Sequence, residues 1–502
     1  MTAPIQLRAA VFAGAVVALA GACSSQSTNT AKPATSTTVP VPVTSAPGVP
    51  IEPISHDGRW LVDASGRVVV IHGVNVPSKS LPAYPSALGF GDDDAQLLAS
   101  SGFNAVRLTV ERYAVEPKPG TFDDAYLDHF KQTIAILARH GIVTLIDFHQ
   151  DEFGPVFYDN GYPDWMTVTD GKPNNYKVGF PLQYLQNPAL ERAFDNLWAN
   201  ARGSDGKPLQ TDDAALLSHV ASHFAAVSGL VGYELINEPW PGTPFSTCFA
   251  KGVGCPTFDG GPYSAYVARM TTALRAADAT HMIWYEPLVM FNYGVPTSTQ
   301  APSDPRLGFA FHDYPSCAGT SPDCVSQHAL VVTNALNQSK KTGDALLETE
   351  FGATTDTAGL DSQLAVYDQH MIPWMFWSYT RYIDALTPQG SLKTAVGASV
   401  NTAMLTTLAR PYPQLVSGTP LAWTFDPTTK HFTFRFTTDR TDGHGTFGPD
   451  AETDIAVPAV QYRAGYRVSV IGGRVISAAS ARTLRVQGHA GAHLITVNIA
   501  NR

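Results

Sequence analysis

An apolar run from Val231 to Ile236 ends abruptly in Asn237-Glu238-Pro239, and a second acid, Glu350, sits near the end of the run Ala345 to Gly352. A carboxylate at the tip of a buried strand is expensive to desolvate, so a chemical role is the natural reason for one. Two such groups facing each other across about 5 Å can cleave a glycosidic bond with retention of configuration. One attacks the anomeric carbon while the other protonates the departing oxygen and later takes a proton from water. Asn237, beside Glu238, is suited to hydrogen-bond the sugar 2-hydroxyl. Glu286-Pro287 copies Glu238-Pro239 and is a rival for the acid. Asp147, His149 and Asp151 have the donor types of a metal site, but cleavage by two carboxylates needs no ion, and neither metal nor cofactor is expected.

These residues fall at the ends of strand-like runs. The runs are Arg67–Val76, Phe103–Val110, Ile142–His149, Val231–Asn237, Met282–Pro287, Gly308–Tyr314, Ala345–Gly352 and Trp374–Tyr379. Helical spacing of apolar residues marks Tyr126–Gly141, Ala214–Val227 and Tyr263–Asp278 between them. Near-continuous apolar strands are buried on both faces, as in parallel sheets. Eight strands with helical crossovers predict an α/β fold, a (β/α)8 TIM barrel, over residues 51–410. A doubly wound open sheet is the competitor, and it lacks a glycine-rich phosphate loop here. In a barrel the C-terminal strand ends carry the chemistry. That rim would hold Arg107, Asp147, His149, Asp151, Asn237, Glu238, Glu286, His312, Tyr314, Glu350 and Trp377. Strands four and seven lie opposite each other, which lets Glu238 and Glu350 converge. From 411 to 502 the runs alternate, as in His431–Thr438, Tyr466–Ile476, Arg482–Gly488 and His493–Ala500, which predicts a small antiparallel β-sandwich.

"LINEP" and "ETEFG" resemble the strand-four and strand-seven signatures of glycoside hydrolase family 5. The resemblance implies that Glu238 is the acid/base and Glu350 the nucleophile. It also implies functional roles for Arg107, His149, His312, Tyr314 and Trp377. "GVNVPSKS" and "DFHQDEFGPVF" are similar to the first- and third-strand motifs of the endoglycoceramidases and glycosylceramidases. That likeness implies a sugar site lined by Lys79, His149, Asp151, Asn237, Tyr314 and Trp377. The expected activity is retaining hydrolysis of a β-glycosidic bond between a glycan and a hydrophobic aglycone, with ceramide the leading candidate. A polysaccharide endoglycanase, a steryl-glucosidase and a non-catalytic glycan-binding lipoprotein are the alternatives.

Outside the expected barrel, Arg8 and the apolar run Ala9–Ala22 have the form of a signal peptide within residues 1–23. Leu19-Ala20-Gly21-Ala22-Cys23 resembles a lipobox, so export with a lipid on Cys23 and membrane attachment is expected; plain secretion after cleavage near Ala22 is the alternative. Residues 24–50 are rich in Ser, Thr, Pro and Ala and predict a disordered tether. In an exported chain the remaining cysteines read as the disulfides Cys248–Cys255 and Cys317–Cys324. The formal charge of −10, with no basic stripe, argues against nucleic acid as a partner.

Overall fold

The computed structural model describes residues 46–251, 253–314, 317, 319–379 and 400–502, without the side chains of 249–251. The expected signal segment with Cys23, and the expected tether up to residue 45, lie outside the described residues. The end of that tether is docked rather than disordered. The Gly48 N–H donates to Asp454 Oδ2 at 2.8 Å in a buried contact, so this stretch has a partner that its composition does not reveal.

Eight parallel strands close into a barrel: β4 (His72–Val76), β5 (Ala105–Glu111), β6 (Val143–His149), β7 (Leu230–Glu234), β8 (Met282–Tyr285), β9 (Leu307–Asp313), β10 (Ala345–Gly352) and β11 (Trp374–Trp377). Every residue of β5 and β6 is buried, as expected for strands covered on both faces. The outer layer includes Asp124–Arg139, Leu209–Phe224, Ser264–Ala277, Pro322–Thr342 and Thr357–His370. No helix among the described residues is long and apolar enough to cross a membrane.

The barrel interior changes character one pleat at a time. Ala105, Leu145, Trp284, Ala310, Leu347 and Met375 form one buried apolar cluster at its floor. Two residues further along these strands stand Arg107, Asp147, Glu286, His312 and Trp377, because alternate residues share a face. Two irregularities bring further acids inward. The β6–β7 register shifts next to Gly232, where Leu145 pairs with Gly232 and Asp147 with Glu234, so Glu234 faces the interior. Gly232 has φ +152°, and a Cβ there would sit 2.0 Å from the Met282 carbonyl oxygen, so only glycine fits. The β9–β10 register shifts between Glu348 and Glu350, with Leu347 opposite Ala310 and Glu350 opposite His312. Strict alternation would give Glu348 and Glu350 one face. The bulge instead sends Glu348 outward to Tyr367 and leaves Glu350 inside.

The C-terminal part consists of two antiparallel sheets around a shared core that includes Trp423, Phe434, Ile455, Leu484 and Val497. One sheet joins β13 (Thr419–Phe425), β14 (Phe432–Thr437), β19 (Leu494–Asn501) and β16 (Tyr466–Ile471). The other runs β1 (Ser55–Asp57), β2 (Trp60–Val62), β3 (Val68–Val69), β12 (Tyr412–Val416), β15 (Glu452–Ala456), β18 (Thr483–Gly488) and β17 (Gly473–Val475). Two expectations change here. Arg67–Val76 is not one strand: Val68 and Val69 pair with Val416 and Leu415 in the antiparallel sheet, and the chain enters the barrel at His72. A continuous apolar run carries no mark of that handover. Residues 55–69, expected within the barrel unit, therefore belong to the other sheet. Tyr466–Ile476 is likewise broken at Gly472, whose φ of +79° turns the chain. Cys248–Cys255 and Cys317–Cys324 are both disulfide-bonded, with Cα separations of 4.8 and 5.6 Å that suit a bridge.

Candidate active site

Arg107 is the centre of the barrel mouth. Its fully buried guanidinium donates to Glu234 Oε2 at 2.5 Å, Glu350 Oε1 at 2.6 Å, Asn237 Oδ1 at 2.9 Å and Asn75 Oδ1 at 3.0 Å. Asp147 Oδ1 lies 3.2 Å away and Glu286 Oε1 3.5 Å. One cation thus serves four carboxylates, and the carboxylates divide into two kinds. Burial and the charge of Glu234 push the Glu286 carboxyl well above its ordinary value, and burial raises Glu234 in the same direction. Burial also acts upward on Glu350, but His312, Arg107, His149 and Lys79 outweigh it and hold Glu350 below the usual carboxylate range. Asp147 is held low in the same way, with Arg107 and His149 overcoming its burial.

Glu238 follows β7 with φ +41°, in the left-handed region that costs a non-glycine residue about 1–3 kcal/mol. The surroundings fix it there. Gln150 Nε2 donates to the carbonyls of Asn237 at 2.9 Å and Glu238 at 3.0 Å, and Glu286 Oε2 accepts the Glu238 N–H at 3.0 Å. Glu286, the sequence rival for the acid, is instead spent on this backbone contact and on Arg107. The Glu238 side chain keeps 17 % exposure, against 6 % for Glu350. Its Oε1 accepts from Asn292 Nδ2 at 2.8 Å and lies 3.0 Å from His312 Nδ1. Glu350 Oε2 accepts from the Tyr314 hydroxyl at 2.9 Å and is 3.8 Å from His312 Nδ1. Oxygens of Glu238 and Glu350 and a ring nitrogen of His312 all fall within 4.8 Å of one another.

Lys79, Asp151, His149 and Trp377 form the adjoining wall. Lys79 and Asp151 are bonded and nearly buried, and Lys79 Nζ stands 4.6 Å from the Trp377 ring centroid. His149 stacks on the same ring at 5.6 Å and 18°. Burial and Lys79 press on the His149 imidazole to release its proton, yet Asp147 Oδ2, 2.5 Å from Nδ1, dominates and lifts the imidazole to about 9. An ion pair and an imidazolium beside an aromatic face weaken a fold, because their desolvation is costly. The same arrangement offers charged hydrogen-bond partners and a stacking surface to a polyhydroxylated ring. Glu234, Glu286 and His312 are also close enough to share a cation, but Arg107 already occupies that cluster's negative field. Asp151, expected as one arm of a possible metal set with Asp147 and His149, is bonded to Lys79.

All ten site residues expected from the sequence converge on this mouth. Several participants were not foreseen. Asn75 sits in "GVNV", a polar residue inside a buried strand, which is a usable signal; its Nδ2 donates to the Thr349 carbonyl at 2.8 Å. Glu234 is hidden by the bulge at Gly232. Asn292 lies in a 3-10 turn, Val289–Tyr293, with nothing nearby in sequence to single it out. Arg112 ties the carbonyls of Phe148 and Leu235 together at 2.9 and 2.7 Å, clamping the ends of β6 and β7. Glu111 is fully buried on the Arg107 face of β5, and neither of its carboxylate oxygens has a partner among the described residues.

The profile of the cellulase family, glycosyl hydrolase family 5, matches residues 62–382, and that of the glycoside hydrolase family 5 C-terminal domain matches residues 410–499. The chain belongs to glycosyl hydrolase family 5. Within the family it is 33 % identical to endoglycoceramidase I of Rhodococcus hoagii (strain 103S) over 476 residues, 90 % of this chain and 89 % of the relative. It is 27 % identical to endoglycoceramidase of Hydra vulgaris, covering 77 % of both chains. The fold superposes on endo-glycoceramidase II from Rhodococcus sp., solved as a lactosyl-enzyme intermediate, with a TM-score of 0.72 and 25 % identity over 88 % of this chain and 99 % of that one. Membership of family 5 makes the protein an O-glycosyl hydrolase.

Proposed function

We propose that this hydrolase is a retaining β-glycosidase that releases the glycan from a glycosphingolipid by cutting its bond to ceramide. The observation that carries the reading is the approach of Glu238 and Glu350 to within 4.8 Å around His312, the spacing of a retaining pair rather than an inverting one. Glu350 is the nucleophile. It is held anionic, and Arg107 and Tyr314 each occupy one of its oxygens and fix its aim. It attacks the anomeric carbon as the carbon–oxygen bond to ceramide breaks, and Glu238 gives its proton to the departing oxygen. A glycosyl ester on Glu350 results. Two carboxylates this close do not readily carry charge together. Esterification removes the charge on Glu350 and frees Glu238 to take a proton from water. That water attacks the ester-linked carbon, releasing the sugar and restoring Glu350.

Asn237, oriented by Arg107, meets the sugar 2-hydroxyl, while Lys79, Asp151, His149 and Trp377 hold the remaining hydroxyls and one ring face. The ceramide assignment is supported by the endoglycoceramidase relatives and by the lactosyl-enzyme described for the Rhodococcus protein. Incubation with glycosylceramides, steryl glucosides and soluble β-glucans tests it. Intact oligosaccharide released from lactosylceramide is expected. Release from β-glucan or sterol alone would overturn the lipid assignment, and no hydrolysis of any β-glycoside would overturn the whole reading. We also propose that residues 1–23 direct export and that Cys23 is lipidated, on the lipobox-like sequence before it. Mass spectrometry of the N-terminal peptide, finding Cys23 unmodified, would remove the second part.

A further inference from the structure

The exposed apolar side chains of the barrel are unevenly distributed. Among the described barrel residues they are Leu81, Tyr158, Val178, Leu185, Val253 and Leu330, and only Leu330 lies on an outer helix. The rest follow β4, β6 and β7 on the face that carries the catalytic pair. Leu81 is 72 % exposed, Tyr158 76 %, Leu185 47 % and Val178 38 %. Singly exposed apolar residues are ordinary; several gathered on one rim mark an interaction surface.

Four of these are held near one another by contacts of the site itself. Lys79 is bonded to Asp151, and Asp151 pairs through its backbone with Asn160. Leu81 stands two residues beyond Lys79, and Tyr158 two before Asn160. Tyr158 stacks on Tyr176 at 4.4 Å, which draws in Lys177 and Val178. The charge here is also atypical. Residues 77–91 and 171–187 contain Lys79, Lys172 and Lys177 and no Asp or Glu, in a chain whose formal charge is −10. Lys172 and Lys177 are exposed beside the apolar tips.

We infer that the loops after β4 and β6 form a lip that docks on an anionic lipid bilayer, presenting the barrel mouth to glycolipid headgroups at the membrane surface. Apolar tips separated by lysines suit the headgroup boundary: the aliphatic chains and the tyrosine enter it, and the ammonium groups meet phosphates. The loops carry no carboxylate to be repelled there. The inference extends the proposed action on glycosphingolipids, whose ceramide is anchored in a bilayer, and says where the substrate is met.

The test uses the full chain with Cys23→Ser, so that no acyl group on that residue contributes, and Glu350→Gln to prevent turnover. Its co-sedimentation is measured with vesicles of phosphatidylcholine alone and with about one-third phosphatidylglycerol. Binding is expected to favour the anionic vesicles, and Lys172→Glu/Lys177→Glu to weaken it by about tenfold or more. Leu81→Ser/Tyr158→Ser/Val178→Ser/Leu185→Ser should weaken it as much, with the charge variant serving if this one misfolds. In chains retaining Glu350, both variants should cleave a soluble aryl β-lactoside within about twofold of the parent while losing about tenfold on vesicle-borne glycosylceramide. Unchanged vesicle binding in the charge variant, or loss of self-association rather than of lipid binding, would overturn the lip. Absence of lactoside cleavage in the parent would instead overturn the proposed activity, leaving the sedimentation result to judge the lip separately.

Discussion

Leu145, Trp284, Ala310 and Met375 meet at the floor of the barrel, and one pleat higher on the same strands Asp147, Glu286, His312 and Trp377 gather at its mouth. Roughly 7 Å of strand separates the two levels. The floor is what a folded chain gains by: apolar surface leaves water and fills space. The mouth runs the other way. Four carboxylates crowd one guanidinium, Glu238 is held at a strained φ, and an ion pair is buried against tryptophan. A single set of strands therefore separates stability from chemistry by height, and variants at the two levels should fail in opposite ways.

The sharpest break in that contrast is expected at the catalytic pair. Glu350→Gln and Glu238→Gln should each lower kcat on lactosylceramide by about 10⁴-fold or more, while the melting temperature holds or rises. Near-parental turnover in either variant would dissolve the distinction. At the floor, Leu347→Ala should cost about 2–5 kcal/mol in denaturant unfolding, yet leave kcat/KM within about threefold at 25 °C, because only packing beneath the acids is lost.

Asn292→Ala probes the boundary between the levels. It removes one hydrogen bond to Glu238 Oε1, so kcat should fall about tenfold with little change in unfolding midpoint. A variant melting far below the parent would make Asn292 a structural residue instead. The smallest effect is in pH. The His149 imidazole is lifted to about 9 in the fold from an ordinary 6.5. A raised value lends stability that is complete below about pH 6.5 and drains as pH rises toward 9. Thermal melts of the parent should therefore decline through that window, and His149→Asn should flatten the decline.

The strand ends were legible because the chemistry sits where apolar runs stop. Asn237-Glu238-Pro239, His312, Tyr314 and Glu350 could be read from position alone, and the eight-strand barrel from alternation with helices. What alternation hides is any break in its own rule. Glu234 enters the interior, and Glu348 leaves it, only because the ladders slip beside Gly232 and before Glu350. Asn292 was invisible for another reason: its role depends on a turn folding back over β7, and no local pattern records such proximity. The N-terminal strands were missed because their partners lie at the far end of the chain.

That last feature has a kinetic side. Val69 pairs with Leu415, and β12 in turn needs β15 and β18 beside it. The first strands to emerge during synthesis must wait, unmatched, for nearly the whole polypeptide before their sheet can close. A long non-local closure of this type slows folding, which gives a chain bound for export a lengthened interval in which it is still threadable through a translocation pore.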